Sequence, residues 1–140
     1  MNTEVIRAAQ EHELMQAFSI RRKVFVEEQN VSEEEEYDEF EISSRHYLVL
    51  VDGHAAGTAR WRETPNGYKL ERFAVLPAYR NMGVGTALLK ALLHDVPKNR
   101  TVYLHAQVPA MQLYERQGFK AVGELFYECN IPHFKMVLNT

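Results

Sequence analysis

Cysteine is almost missing from this 140-residue chain: Cys129 stands alone. An internal disulfide is therefore impossible, and one thiol cannot by itself build a zinc-type metal site. Long hydrophobic runs are also lacking. No segment approaches the roughly 20 apolar residues that span a bilayer, and Met1-Asn2-Thr3-Glu4 does not have the basic-then-apolar pattern of a secretory signal. The expectation is a cytoplasmic protein with no membrane partner. There are no internal repeats and no Pro/Gly/Ser-rich breaks, which predicts one domain over residues 1–140. With 46% hydrophobic residues the chain can bury one core but hardly two. A dense Lys/Arg stripe with interleaved aromatics is absent and the sequence pI is about 6.1, which argues against nucleic acid. His12, His46, His54, His94 and His105 show no metal-ligand spacing, so no metal is expected.

What is present is unevenly placed. Glu27 to Glu41 holds nine acidic residues and no basic one, which leaves ten acidic against sixteen basic residues elsewhere. The remainder thus carries a net +6 and suits an anionic ligand. Glu33 to Glu36 with Asp38, Glu39 and Glu41 either steers a cationic molecule or is merely a solvated loop.

Periodicity predicts a short strand at 4–8 and a helix at 11–25. Tyr47 to Val51 and Ala55 to Trp61 flank Asp52-Gly53 as a hairpin, and Pro65-Asn66-Gly67 turns into a third strand, Tyr68 to Val75. The period then changes: Val84, Ala87, Leu88, Ala91 and Leu92 recur at helical spacing from Gly83 onward, ending before Pro97. A strand at 101–106, a helix at 109–117 and two strands around Asn130-Ile131-Pro132, 119–127 and 133–138, complete a mixed sheet with helices on it.

Between the third strand and the Gly83 helix lies Arg80-Asn81-Met82-Gly83-Val84-Gly85-Thr86. Glycines allow positive φ and close approach to a ligand, and the N–H groups that open a helix attract an anion such as a pyrophosphate. Arg80 and Thr86 add side-chain donors. A Rossmann fingerprint needs Gly or Ala where Leu88 stands, and a Walker A loop needs a Gly-Lys-Ser/Thr that is absent.

Arg80-x-x-Gly83-x-Gly85, in its strand–loop–helix setting, resembles the signature of the GNAT N-acetyltransferase superfamily. Glu71-Arg72-Phe73-Ala74-Val75 looks like that family's central strand, and Ala110 through Tyr114 to Gly118-Phe119 its later helix. Val24-Phe25-Val26-Glu27-Glu28-Gln29 and Ile131-Pro132-His133 are similar to the ElaA/YjcF-like branch. The resemblance implies an α/β (α+β) fold, with a mixed, mostly antiparallel sheet of six to seven strands, about four helices, and adjacent strands splayed at the cofactor site. It implies acetyl-CoA as cofactor. The pantetheine arm would pair with backbone of Phe73, Ala74 and Val75, the residues Arg80, Asn81, Met82, Gly83, Val84, Gly85 and Thr86 would hold the pyrophosphate, and Gln107 would touch the arm. Many members dimerise.

Acetyl transfer to a primary amine needs a neutral nucleophile, stabilisation of the oxyanion and a proton for the leaving thiolate. The resemblance places Tyr114 near the sulfur as general acid, where without it the residue reads as a core aromatic. Glu71 is the candidate base, or else the ion-pair partner of Arg60 or Arg62 on the preceding strand. His133 lines the acceptor pocket, with its neutral form a further base, or is a partly buried histidine bonded to backbone. Cys129 reads as a packing residue in a strand rather than a covalent nucleophile. The rival to an enzyme is a non-catalytic acyl-CoA-binding sensor or scaffold.

Overall fold

The computed structural model describes residues 1–139. Its chain order is β1 (Thr3–Arg7), α1 (Glu11–Arg21) running into a π-helical segment (Arg22–Glu28), α2 (Glu33–Glu36), β2 (Arg45–Val51), β3 (His54–Thr64), β4 (Gly67–Val75), α3 (Val84–Asp95), β5 (Val102–Gln107), α4 (Met111–Glu115), β6 (Phe119–Glu128) and β7 (Ile131–Leu138). The seven strands form one sheet in the order β1-β2-β3-β4-β5-β7-β6. Every pair is antiparallel except β4–β5. This is the mixed α/β fold expected above, with seven strands and four α-helices.

Both faces of the central strands are buried, and alternation divides their side chains between two layers. Tyr47, Val49 and Val51 of β2 pack with Val84, Leu88, Leu89 and Leu92 of α3. Leu48 faces the other way, onto Ala17, Ile20 and Val24 of the first helix. The sheet is thus sandwiched, with α1 on one face and α3 on the other. Tyr47 Oη donates to Asp95 at 2.7 Å and receives Trp61 Nε1 at 3.0 Å, so the polar tips of two core aromatics are satisfied.

The β2–β3 hairpin turns on Asp52 and Gly53, both at positive φ (49° and 84°), as its two-residue loop requires. The last hairpin turns one residue earlier than expected. Cys129 and Asn130 take the positive φ values (50° and 63°), and Ile131 and Pro132 already belong to β7. The first helix also departs from expectation: from Arg22 its turns widen, with Gln29 N–H bonding back five residues to Val24 O at 3.0 Å. Such wide turns cluster at functional sites, and this one carries Phe25, Glu28 and Gln29 toward the cleft described next.

Candidate active site

Two backbone irregularities open the site. Strands β4 and β5 pair only through Tyr68↔Val102, Lys69↔Tyr103 and Leu70↔Leu104. Just past the last pair, β4 bulges: Arg60 faces Glu71 and Thr58 faces Ala74, so Ala59 opposes both Arg72 and Phe73, and Arg72 sits at φ 61°. The bulge switches parity, so that Leu70 and then Phe73 and Val75 face α3. Beyond Leu70 the β5-facing edge of β4 has no strand partner. The strands fork, and the fork is the floor of a cleft of about 830 Å³, a size typical of small-molecule sites.

At one end of the cleft lies the start of α3. Gly83 is its N-cap at φ 80°, ψ 8°, a conformation that a side chain would strain, and no side chain caps the helix. The N–H groups of its first turn are therefore free to meet an anion. Arg80 reaches across the same corner. Its Nε donates to Val75 O at 3.0 Å, and its two terminal nitrogens donate to both oxygens of Glu28 at 2.7 Å each. That guanidinium holds the Glu28 carboxyl below its usual range. Glu28 thus occupies the place an anionic ligand of Arg80 would take, a partner that sequence reasoning missed because 52 positions separate the two. Removing the internal competitor should strengthen anion binding: Glu28→Gln is expected to lower the dissociation constant for inorganic pyrophosphate by about two- to fivefold, the scale of a part-exposed ion pair. Weaker binding in calorimetry would show instead that Glu28 supports the site.

Phe73, Ala74, Val75, Arg80, Gly83, Val84, Gly85, Thr86 and Gln107 all line the cleft, as does Asn81. Met82 lies outside the lining and is largely exposed. Gln107 exchanges hydrogen bonds with Gln29 across the opening (3.0 and 3.4 Å), tying the end of β5 to the end of the π-helical segment.

The middle of the cleft holds Tyr114, buried between Phe73 (ring centroids 5.5 Å apart) and Phe119 (6.2 Å). Burial alone raises its phenol above the ordinary value, so it keeps its proton throughout the working range. It is a core aromatic and a cleft residue at once.

Glu71 stands at the fork inside a cage of cations. It accepts from Arg60 Nε at 2.8 Å and also from its Nη2, from Arg62 Nε at 3.1 Å, and lies 3.3 Å from Lys69 Nζ. Against the cost of burial, these charges, Arg60 foremost, hold its carboxyl at about 2. Of the two expectations, the ion pair is present in full, and a carboxylate with so little proton affinity is a poor base.

The acidic segment is divided: Glu33, Glu34, Glu35 and Glu39 are exposed, as the solvated-loop expectation has it, while Glu36, Asp38 and Glu41 turn inward. Arg21, 1% exposed, donates to Glu36 at 2.8 Å and to Glu41 at 2.7 and 2.9 Å. Arg60, fully buried, meets Asp38 at 2.8 Å and Glu41 at 2.9 Å, and Arg72 meets Asp38 at 3.2 Å. Glu36, Asp38 and Glu41 are consumed by internal cations and are not free to steer a ligand.

His133 is buried at the far wall. Its Nδ1 lies 2.6 Å from Ile131 O, and its ring stacks on Phe126 at 5.8 Å. It is bonded to backbone and also lines the cleft. Cys129, expected to pack within a strand, is instead exposed at the β6–β7 turn, with Sγ 3.3 Å from Glu35 Oε2. Partial burial and then Glu35 push its thiol up, which makes it a weak nucleophile. Among the described residues no three His, Cys, Asp or Glu side chains converge as metal ligands, and no helix is long and apolar enough to cross a membrane.

The chain as a whole is similar to known proteins. The model of the acetyltransferase (GNAT) domain matches residues 7–140. The uncharacterized N-acetyltransferase YjcF of Bacillus subtilis is 37% identical, over 96% of this chain and 98% of its own. The crystal structure of an acyl-CoA N-acyltransferase from Pseudomonas aeruginosa superposes with a TM-score of 0.84 at 26% identity, covering 99% of both chains. That of Escherichia coli ElaA gives 0.83 at 26%, again over 99% of both. The family match over residues 7–140, the 37% identity to YjcF and the likeness to ElaA place this chain in the GNAT acetyltransferase family, within its ElaA/YjcF-like branch.

Proposed function

We propose that this chain transfers the acetyl group of acetyl-CoA to a primary amine by direct attack within a ternary complex. The observation that carries the reading is the pairing of the fork with the free α3 N-terminus in one cleft. One offers unpaired β4 backbone to an extended amide chain, and the other offers N–H groups to a pyrophosphate. The cofactor supplies the activated acyl thioester. Phe73, Ala74 and Val75 hold the arm as an added strand. Arg80, released by Glu28, joins the first-turn amides of Val84, Gly85 and Thr86 on the phosphates, and Asn81 and Met82 complete the loop. Gln107 contacts the arm once its bond to Gln29 yields. Tyr114 carries the proton destined for the leaving thiolate.

Calorimetric titration with acetyl-CoA, using NAD as control, tests the cofactor half. Wild-type protein should bind acetyl-CoA and not NAD. Arg80→Ala should weaken that binding by about ten- to a hundredfold, the worth of a charged bidentate contact, and adding Gly83→Val should abolish it by straining the N-cap. Absence of binding by folded wild type would sink the proposal. Thiol release across spermidine, an alanyl tripeptide amide and glucosamine then separates an enzyme from a silent acyl-CoA sensor.

A further inference from the structure

With Glu71 caged, the cleft needs another place for the ammonium form of the acceptor, and one is built from residues at the far wall. Ile131 O can only accept, so the 2.6 Å contact from His133 is an Nδ1–H donating to it. In the neutral ring the remaining nitrogen, Nε2, is then an acceptor. It faces Glu128 Oε1 at 3.8 Å. A carboxylate also only accepts, so the two groups oppose each other outside hydrogen-bond distance with no donor between them. The other oxygen of Glu128 is fixed: His105 Nδ1 lies 3.0 Å from Oε2 and donates to it. Phe126 holds both imidazoles, stacked on His133 and edge-on to His105 at 5.0 Å. The strand register puts His133 opposite Gln107 and Phe126, while His105 is the first β5 residue past the fork.

We propose that His133 Nε2 and Glu128 Oε1 form a seat for the ammonium group of the acceptor amine, with His105 as its positioning residue. The proposal rests on the amine-transfer reading above and deepens it. An ammonium has three donors and a positive charge, which answers both unpaired acceptors and the carboxylate. Most other charged groups facing this wall already have partners: Lys69 is held by Glu71 at 3.3 Å, Lys135 Nζ lies over the Tyr103 ring at 5.2 Å, and Glu35 receives the Cys129 thiol, while Arg72 meets Asp38 through Nη2 and keeps an Nε with no hydrogen-bond partner. As the amine is made ready, one N–H bond breaks, its electron pair stays on nitrogen as the attacking lone pair, and the proton goes to Nε2. The imidazolium so formed stands beside the Glu128 carboxylate, which stabilises it.

The test is long-range proton–nitrogen NMR on the full chain with labelled histidine, near pH 8, where an ordinary imidazole is neutral. The free His133 ring should carry its hydrogen on Nδ1. Titrating n-butylammonium should then shift the Nε2 resonance saturably, whereas tetramethylammonium, equally charged but without N–H, should not. Glu128→Gln should weaken the butylammonium response by about tenfold or more, as loss of a charge-assisted bond requires. A hydrogen on Nε2 in the free protein, equal responses to the two cations, or full affinity in Glu128→Gln would each overturn the seat. Acetyl-CoA titration of the same samples checks that the variant is folded and separates the two readings. Loss of cofactor binding with an intact butylammonium response sinks the transferase reading, and the reverse sinks the seat alone.

Discussion

Arg60→Met should lower stability at neutral pH by about 3–5 kcal/mol, because it strips a fully buried cation from the buried carboxylate of Glu71 and the partly exposed carboxylates of Asp38 and Glu41. Arg60 is fully buried and is shared by Glu71, Asp38 and Glu41. For a chain of this size that loss corresponds to roughly 10–15 °C in Tm, measurable by urea and thermal unfolding. The sign of the pH dependence separates this cause from a simple packing defect. In the wild type Glu71 is held at about 2, below the ordinary value of 4.5, so its contribution is fully present above the unfolded value and is lost as pH falls toward 2. Without Arg60 that carboxyl would rise, and protonation would then relieve the buried charge. The deficit of the variant should therefore shrink on acidification toward pH 4.5. Arg60→Met combined with Glu71→Gln should be more stable than the sum of the two single changes predicts, since the second substitution removes a buried charge that the first left with only Arg62 and Lys69 to balance it. A deficit independent of pH and strictly additive in the cycle would assign the whole effect to lost packing.

That network also shows where the sequence stops being informative. The hairpin at Asp52-Gly53 and the start of α3 at Gly83 were legible because each is decided locally, by positive φ and by a change of period within a few residues. The inward turn of Glu36, Asp38 and Glu41 is not local. Its cations stand 15, 22 and 34 positions away from the carboxylates they bind, and a run of glutamates looks the same whether it faces water or three arginines. The widening of the first helix at Arg22 is equally tertiary, as the apolar run Val24-Phe25-Val26 fits an α-turn and a π-turn alike. The last turn slipped by one residue because Pro132 resembled a breaker, although a proline is tolerated near the start of a strand while Cys129 and Asn130 supply the reversal. The cofactor loop was visible as a motif, but the carboxylate that Arg80 holds was not. Glu128 and His105 gave no signal at all, since their meaning comes from strand register.

Tyr114→Phe is expected to reduce kcat by about a hundredfold if proton delivery to the thiolate limits turnover, with acetyl-CoA affinity unchanged. The geometry makes this substitution unusually clean. The ring is held by edge-to-face contacts with Phe73 and Phe119, which phenylalanine retains. Burial is the only cause of the phenol's raised pKa, with no charged or hydrogen-bonding neighbour contributing, so removing the hydroxyl orphans no protein group and stability should stay within about 0.5 kcal/mol of wild type. A fall in rate would therefore belong to the reaction and not to the fold. The same raised pKa gives a second check with a definite sign. A phenol shifted above its ordinary value of 10.0 stays protonated below that pH, so the wild-type kcat profile should show no basic limb from this group at or below 10. Measured by thiol release from saturating acetyl-CoA, unchanged turnover in folded Tyr114→Phe would remove the hydroxyl from the chemistry and leave Tyr114 as the wall of the fork.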